Sequence, residues 1–467
     1  MAKFAHISAL LLAAAPLTAS AAATDISFSG NVRDVITVTP ERNTGLDAVY
    51  VLYSLDGVSI DYATSSPSVN WLRYSNLGGG FAEAAPGVER TASGFRLTAP
   101  EGDTGYIIED GDRRTYFWLT DYSAHRMTLS GVTVNTEESD CDRTALDIAG
   151  TADAIHFFTI NGRQETLERQ ITIEYNQQSW PDGATDFETS LINFYIPELV
   201  HTVHLVPPVY CSTYFTITGD RFLQHWGEAL RAESDFFQPT AVDCRTTAEQ
   251  QGSGDTGGEG EEKDPSNQTG GDNTSGLGGS APADISFRSF TTDAVIHHEW
   301  QMATDPDFEN ITYRFNERDL DFTFMEQGVT YVRYVGSNAD GSCQTYGDVY
   351  EVQIGDSELR CPNAFSPGAS EGVNDEWKVS YRSLVEFECW IFDRYGHQLF
   401  HFTDPSKGWD GKYKGKLVKS GVYYYVIQAR GADGRKYKKS GDINIINYKQ
   451  TATPGTKVGG QAVLGRQ

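Results

Sequence analysis

The sequence predicts an all-β chain built from several β-sandwich modules joined by a flexible linker. Three observations predict it. Short runs rich in Val, Ile, Thr, Tyr and Phe recur (VITVTP, AVYVLYSLDGVSIDY, TYFWLTDY, RQITIEY, STYFTIT), with Gly, Asp, Asn and Pro between them, which is the signature of short strands and turns. Helical periodicity is scarce, and the stretch from Phe222 to Ala232 is the best candidate for a helical turn or two. With 467 residues, 39% of them hydrophobic and 22% charged, the chain is long enough for three or four modules of ~100–150 residues, each with its own core.

In chain order, Lys3, the apolar run from Ile7 to Leu17 and the small residues Ala19-Ser20-Ala21 read as a secretory signal peptide over residues 1–21. No other run approaches the ~18 apolar residues of a membrane-spanning helix. Residues 22–136 and 137–247 are expected to form two β-sandwiches of ordinary size. Residues 248–282 are Gly-rich, acidic and almost free of apolar side chains. Such a segment buries too little surface to offset its chain entropy and is expected to be the flexible linker. Residues 283–358 make a third module and residues 360–449 a fourth, before a Gly-rich tail, 450–467, that is expected to be flexible. Asp-Ile-Ser-Phe occurs both at 25–28 and at 284–287, which fits two modules that each open on an edge strand.

The charge is uneven. The chain has 37 Lys and Arg against 64 Asp and Glu, yet residues 360–467 carry 17 basic and 10 acidic side chains, a net of +7, and everything before them a net of −34. An acidic body repels nucleic acid, so nucleic-acid binding is set aside. A basic end on an acidic chain points to a separate partner for that end. The six cysteines belong to an exported chain, where thiols meet oxidising conditions. The expected pairs are Cys141 with Cys211 or Cys244, and Cys343 with Cys361, with Cys389 a free core thiol. Spacing alone does not fix that connectivity. No C-x-x-C occurs, which argues against a zinc knuckle or redox motif.

Gly368-Ala369-Ser370-Glu371-Gly372 is a literal G-x-S-x-G. A nucleophile elbow needs a strand before it and a helix after it. Here Pro367 precedes the motif, and the strand-like WKVSYRSLVEFECWIF follows, with Val385, Phe387, Cys389 and Ile391 on one face. The match is a coincidence of a Gly-Ser loop. His201 with His204, and the adjacent His297 and His298, diverge on strands and do not form a zinc pair. Trp71, Trp118, Trp180 and Trp226 read as core rather than as a sugar-binding platform. No P-loop, dinucleotide fingerprint or H-E-x-x-H is present.

Two stretches resemble known families. FTFMEQGVTYVRYVGSNADGSC, with the strand around Trp300, resembles the back half of a PKD domain, although QMATDPDFEN after Trp300 departs from that pattern. An immunoglobulin-like sandwich is expected there. The last module resembles the type B C-terminal sorting domain of the type IX secretion system, also called the gliding-motility-associated C-terminal domain. The motifs that carry this are Pro362-Asn363-Ala364-Phe365-Ser366-Pro367, Gly372-Val373-Asn374-Asp375, Asp393-Arg394-Tyr395-Gly396, Trp409-Asp410-Gly411 and Gly421-Val422-Tyr423. In the run from Val422 to Ile427, apolar or aromatic residues occupy both alternating positions, so that strand is expected to be central, with an apolar side chain on each face. The family's loop is usually richer in oxygen ligands. Here only Glu371, Asn374 and Asp375 remain, so no cofactor is expected, with calcium as the alternative.

The resemblance implies export through the type IX translocon and retention at the outer membrane by a PorP/SprF-like β-barrel. The chain is therefore expected to be a non-enzymatic cell-surface protein, an adhesin or a component of the secretion and envelope machinery, with an unknown extracellular or envelope ligand. The alternative is a hydrolase or glycan-binding cargo whose active region is residues 24–247.

Overall fold

The computed structural model describes residues 25–251, 276–367 and 374–446. The signal peptide, Ser370 and Glu371 of the Gly-Ser loop, and the tail lie outside the described residues. The chain forms two compact units, residues 1–242 with 292–294, and residues 243–291 with 295–467.

The first unit opens with a two-sheet sandwich. One sheet runs Ile26–Gly30, Val58–Ala63, Gly94–Thr98, Val88–Arg90, and the other runs Ile36–Val38, Ala48–Leu52, Arg113–Asp121, Thr104–Asp110, Asn70–Tyr74, Glu83–Ala84. The Ala48–Leu52 strand is buried at every position. Tyr50 and Leu52 face the sandwich core with Ile60, Phe117 and Leu119, whereas Val49 and Val51 join Ile155, Phe157, Phe222 and Leu223 of the next module in a second core. A strand covered on both faces explains the unbroken apolar run AVYVL.

The second module carries sheets of Thr128–Val134, Thr144–Thr151, Thr202–Leu205 and of Glu188–Ile196, Ile171–Ser179, Thr216–Gly219, Leu230–Glu233. Its first strand thus starts at Thr128, upstream of the 136/137 division drawn from sequence. The helical candidate is a single turn, Arg221–His225, capped by Asp220, whose carboxylate accepts the Leu223 backbone N–H at 3.0 Å. Beyond it the chain returns to a strand at Leu230–Glu233.

In the second unit the third module pairs Cys244–Gln250 with Ala283–Thr291 in register from Cys244 opposite Thr291 to Gln250 opposite Ile285. The Gly-rich segment therefore interrupts this module rather than preceding it. Its second sheet runs Leu277–Gly279, Tyr350–Ile354, Gly328–Ser337, His297–Ala303, Ile311–Phe315. Trp300 is fully buried between the sheets, against Phe287 and Tyr334, and its indole N–H donates to the Arg318 carbonyl at 3.0 Å.

The last module is built on a five-stranded sheet, Ala364–Phe365, Lys436–Ile445, Gly421–Gly431, Leu384–Phe392, Gln398–Phe402. Gly421–Gly431 is central in this sheet, as expected, but among the described residues only one of its faces is covered. Tyr425, Ile427 and Ala429 are buried, while Val422, Tyr424 and Val426 are 44, 46 and 37% exposed.

The cysteines differ from the expected pairing. Cys141 and Cys343 are disulfide-bonded, and Cys211, Cys244, Cys361 and Cys389 are free. Neither Cys141–Cys211, Cys141–Cys244 nor Cys343–Cys361 forms, because the packing seats the other thiols in surroundings of their own, Cys211 and Cys244 buried and Cys361 half-buried. Cys244 belongs to the third module's core, Cys361 packs on the core that contains Cys389, and burial raises the pKa of the Cys211 thiol. Cys389 is the free core thiol its strand position implied.

Candidate functional site: the basic C-terminal module

The motif residues of the last module divide into a buried set and an exposed set. Trp377 and Trp409 are both 0% exposed and exchange backbone hydrogen bonds, Trp377 N–H to the Trp409 carbonyl at 2.9 Å and the reverse at 3.1 Å. The Trp377 indole donates to the Pro362 carbonyl at 2.7 Å, and the Trp409 indole donates to the Lys412 carbonyl at 3.0 Å. Phe365 and Tyr423 stand 5.7 and 5.4 Å from the Trp409 ring. Each tryptophan N–H is therefore satisfied inside the core, which removes the usual cost of burying indole.

Asn363 sets the parallel pairing of the first strand, since its carbonyl accepts the Asn444 backbone N–H at 2.9 Å and the Asn444 side chain at 3.1 Å. Asp410 accepts the Lys412 backbone N–H at 3.0 Å and its ammonium at 2.8 Å. Burial opposes ionisation of Asp410, but the Lys412 contacts outweigh it and hold the carboxyl below its ordinary range. Gly411 has φ +73° and lies where an added Cβ would come within 3.1 Å of Pro367, so only glycine fits both the turn and the contact. Tyr423 ties down the segment before its strand by donating to the Lys419 carbonyl at 2.8 Å. Gly421, with φ +155°, opens that strand.

Arg394 and Gly396 lie apart from this cluster, in an exposed turn. There Asp393 accepts the backbone N–H groups of Tyr395 and His397, and the Arg394 guanidinium sits 4.8 Å over the Tyr395 ring. Asn374, at φ +54°, accepts the Ser366 N–H through its carbonyl at 3.1 Å, and Asp375 follows it. The intervening ligands of a calcium loop lie outside the described residues. Most of the sequence motif is thus the module's core and turns, with Tyr395 and Val422 its exposed apolar or aromatic side chains.

Two family comparisons match this chain. The CHU_C type IX secretion signal domain matches residues 359–445, the span whose packing has just been described. The chain carries a type IX secretion signal domain. A fibronectin type III domain matches residues 133–234, so this secretion-signal protein is directed to the cell surface and carries a fibronectin-type sandwich ahead of its signal. No curated protein matches it. Among solved structures it is similar to a tetra-tandem repeat from the extending region of a large adhesion protein, with 12% identity over 90% of this chain and 99% of that one and a TM-score of 0.22. It is also similar to three N-terminal domains of the bacteriophage RB49 Hoc protein, with 9% identity over 69% of this chain and 100% of that one and a TM-score of 0.21. The fibronectin(III)-like modules of Clostridium thermocellum CbhA share 10% identity over 40% of this chain and 99% of that one, with a TM-score of 0.17. At those TM-scores the likenesses carry no argument about this chain.

The residues weighed for an enzyme do not converge. His204 pairs with Glu138 at 2.8 Å. His201 lines a shallow hollow of about 470 Å³ with Asp147 and Glu233, where the Asp147 carboxylate already accepts Thr202 at 2.7 Å and Asn135 at 3.1 Å. His297 contacts the Ala339 carbonyl and His298 the Tyr334 hydroxyl, in different directions. Trp71 and Trp118 are buried, Trp180 stacks edge-on with Phe187, and the Trp226 indole donates to the Asp34 carbonyl. Among the described residues, no group of three or more His, Cys, Asp or Glu could hold a metal, and no helix is long and apolar enough to cross a membrane.

Proposed function

We propose that this type IX cargo is a non-enzymatic surface protein, retained at the outer membrane by a PorP/SprF-like β-barrel that holds the C-terminal module. Its sandwich modules act outside the cell as an adhesin or as a part of the envelope machinery. The observation that carries this reading is the secretion-signal domain over residues 359–445, behind a fibronectin-type passenger domain. The charge asymmetry supports it, because a basic address on an acidic passenger gives the two ends different partners.

Deleting residues 359–467 and fractionating the cells tests the sorting step. The shortened chain is expected in the periplasm, and its appearance on the outer surface would falsify the reading. Retention is tested separately by solubilising cells and isolating the full chain, which should bring an outer-membrane barrel with it. A full chain that washes freely from cells at physiological salt removes the barrel from the proposal and leaves a secreted protein.

A further inference from the structure

The Gly421–Gly431 strand is apolar on both faces but covered on one. Directly opposite its exposed residues on the neighbouring Leu384–Phe392 strand lie Phe392, beside Tyr424, and Trp390, beside Val426. Both are only half-buried. Val422, Tyr424, Val426, Trp390 and Phe392 thus form one apolar and aromatic strip on the open face of the central sheet. A central strand with Val, Tyr and Val turned to water is costly to maintain unless something covers it, because each such side chain gains on the order of 1 kcal/mol or more by leaving water.

Three observations say what covers it. First, Trp409 and Phe365 of the motif are enclosed, so whatever reads this secretion signal must touch other side chains. Secondly, the far end of the same strand is already occupied. The Ala432 carbonyl accepts the Gln327 N–H of the third module at 3.1 Å, Asp433 accepts the Ser357 hydroxyl at 2.7 Å, and Val385 and Ala432 pack on the third module's core. The passenger side is fixed there, at the end of the strand away from Val422. Thirdly, charges beside the strip neutralise one another. Arg430 pairs with Glu386 at 2.6 Å, and the same face of the two flanking strands adds Lys436 and Lys438 against Glu388 and Asp442, so the cations and carboxylates around the strip balance. A surface of this kind selects an apolar protein groove rather than an anionic headgroup or polyanion.

We propose that this strip is the surface by which a protein of the type IX export machinery reads the domain, through an apolar, aromatic-accepting contact of weak salt dependence. The inference rests on the sorting reading above and deepens it. The test is the full chain with Val422→Thr, Tyr424→Ser and Val426→Thr together, compared in cells with the wild type and with the 359–467 deletion. The triple variant is expected to lose surface display at least tenfold and to accumulate as a folded chain in the periplasm, while Tyr424→Phe with Val426→Ile displays normally. If the deletion blocks display and the triple variant is displayed at the wild-type level, the strip is not the contact and the sorting reading stands. If the deletion itself is displayed, the sorting reading falls and the strip with it.

A photo-crosslinking residue at position 424 keeps the inference falsifiable should the triple variant misfold. An adduct with an outer-membrane protein required for type IX export supports it, with none from a probe at the more exposed Tyr395. Adducts only with lipid, only with a second copy of the chain, or with nothing overturn it.

Discussion

Asp110 shows how one side chain ties the end of a strand in one sheet to a segment of the other. Its carboxylate accepts the hydroxyls of Thr64 at 2.7 Å, Tyr62 at 3.2 Å, and Ser66, so three donors from one chain segment converge on the end of the Thr104–Asp110 strand. The Ser66 and Thr64 hydrogen bonds hold its pKa below the ordinary carboxylate value. A depressed folded-state pKa means stability that is full above the unfolded value of ~3.9 and is lost as pH falls through the folded one. Asp110→Asn is therefore expected to lower the melting temperature at pH 7, and the gap to wild type should close as the pH is taken below about 4. A gap that stays constant down to pH 2.5 would exclude the carboxylate as its source. Trp409 makes the opposite kind of contribution. Fully buried and bonded through its indole, it should cost ~3–5 kcal/mol when replaced by Ala, read by denaturant unfolding, with loss of the C-terminal module's protease resistance. The importance of Trp409 was legible in the sequence, because Trp-Asp-Gly with a following Gly is a turn signal around a large apolar side chain. Its partner Trp377 was not, because their pairing joins residues far apart in the chain.

At the level of elements, the alternation of apolar residues found the strands and the central position of Gly421–Gly431, but alternation describes one strand and not what lies over it. The same apolar-on-both-faces pattern is buried twice in Ala48–Leu52 and only once in Gly421–Gly431. The difference lies in the tertiary neighbours, which periodicity does not encode. The third module's first strand was missed for a related reason. Cys244–Gln250, CRTTAEQ, is polar and precedes a Gly-rich stretch, so its local sequence divides it between the end of the second sandwich and the start of the linker, yet it pairs over its full length with Ala283–Thr291. That pairing predicts that a second unit beginning at Asp243 is more stable than one beginning at Gly276, which keeps the Leu277–Gly279 strand. The shorter chain exposes the open edge of Ala283–Thr291 and uncovers Phe287, and it should melt at least several degrees lower and aggregate more readily. Equal melting temperatures would mean that the strand adds nothing to the module.

Across the whole molecule, the first sandwich and the fibronectin-type module behave as one body because their joint is a core rather than a hinge. Val49, Val51, Trp118 and Tyr122 from one side meet Phe157, Leu167 and Phe222 from the other, and at the rim of that core lies a buried ion pair. Arg169 and Asp220 have side chains 2% and 0% exposed, with the guanidinium 2.5 Å from the carboxylate. The remaining donors and acceptors are used. Arg169 also donates to the carbonyls of Asp153 at 2.7 Å and His125 at 2.7 Å, and Tyr122 donates to Asp220 at 3.0 Å. Residues from both modules thus satisfy one pair of charges, and nothing in the local sequence around either residue announces it. Removing one partner strands the other in a dry site, so Asp220→Ala is expected to cost ~3–5 kcal/mol. Because the pair sits at the joint, calorimetry of the full chain should show both modules of the first unit losing stability in a single transition rather than the fibronectin-type module melting alone. The double replacement Arg169→Met with Asp220→Leu removes both charges and should recover most of the loss. A second, lower transition appearing in Asp220→Ala would show that the joint is a contact between separately folding modules, and the single-body description of the first unit would have to be given up.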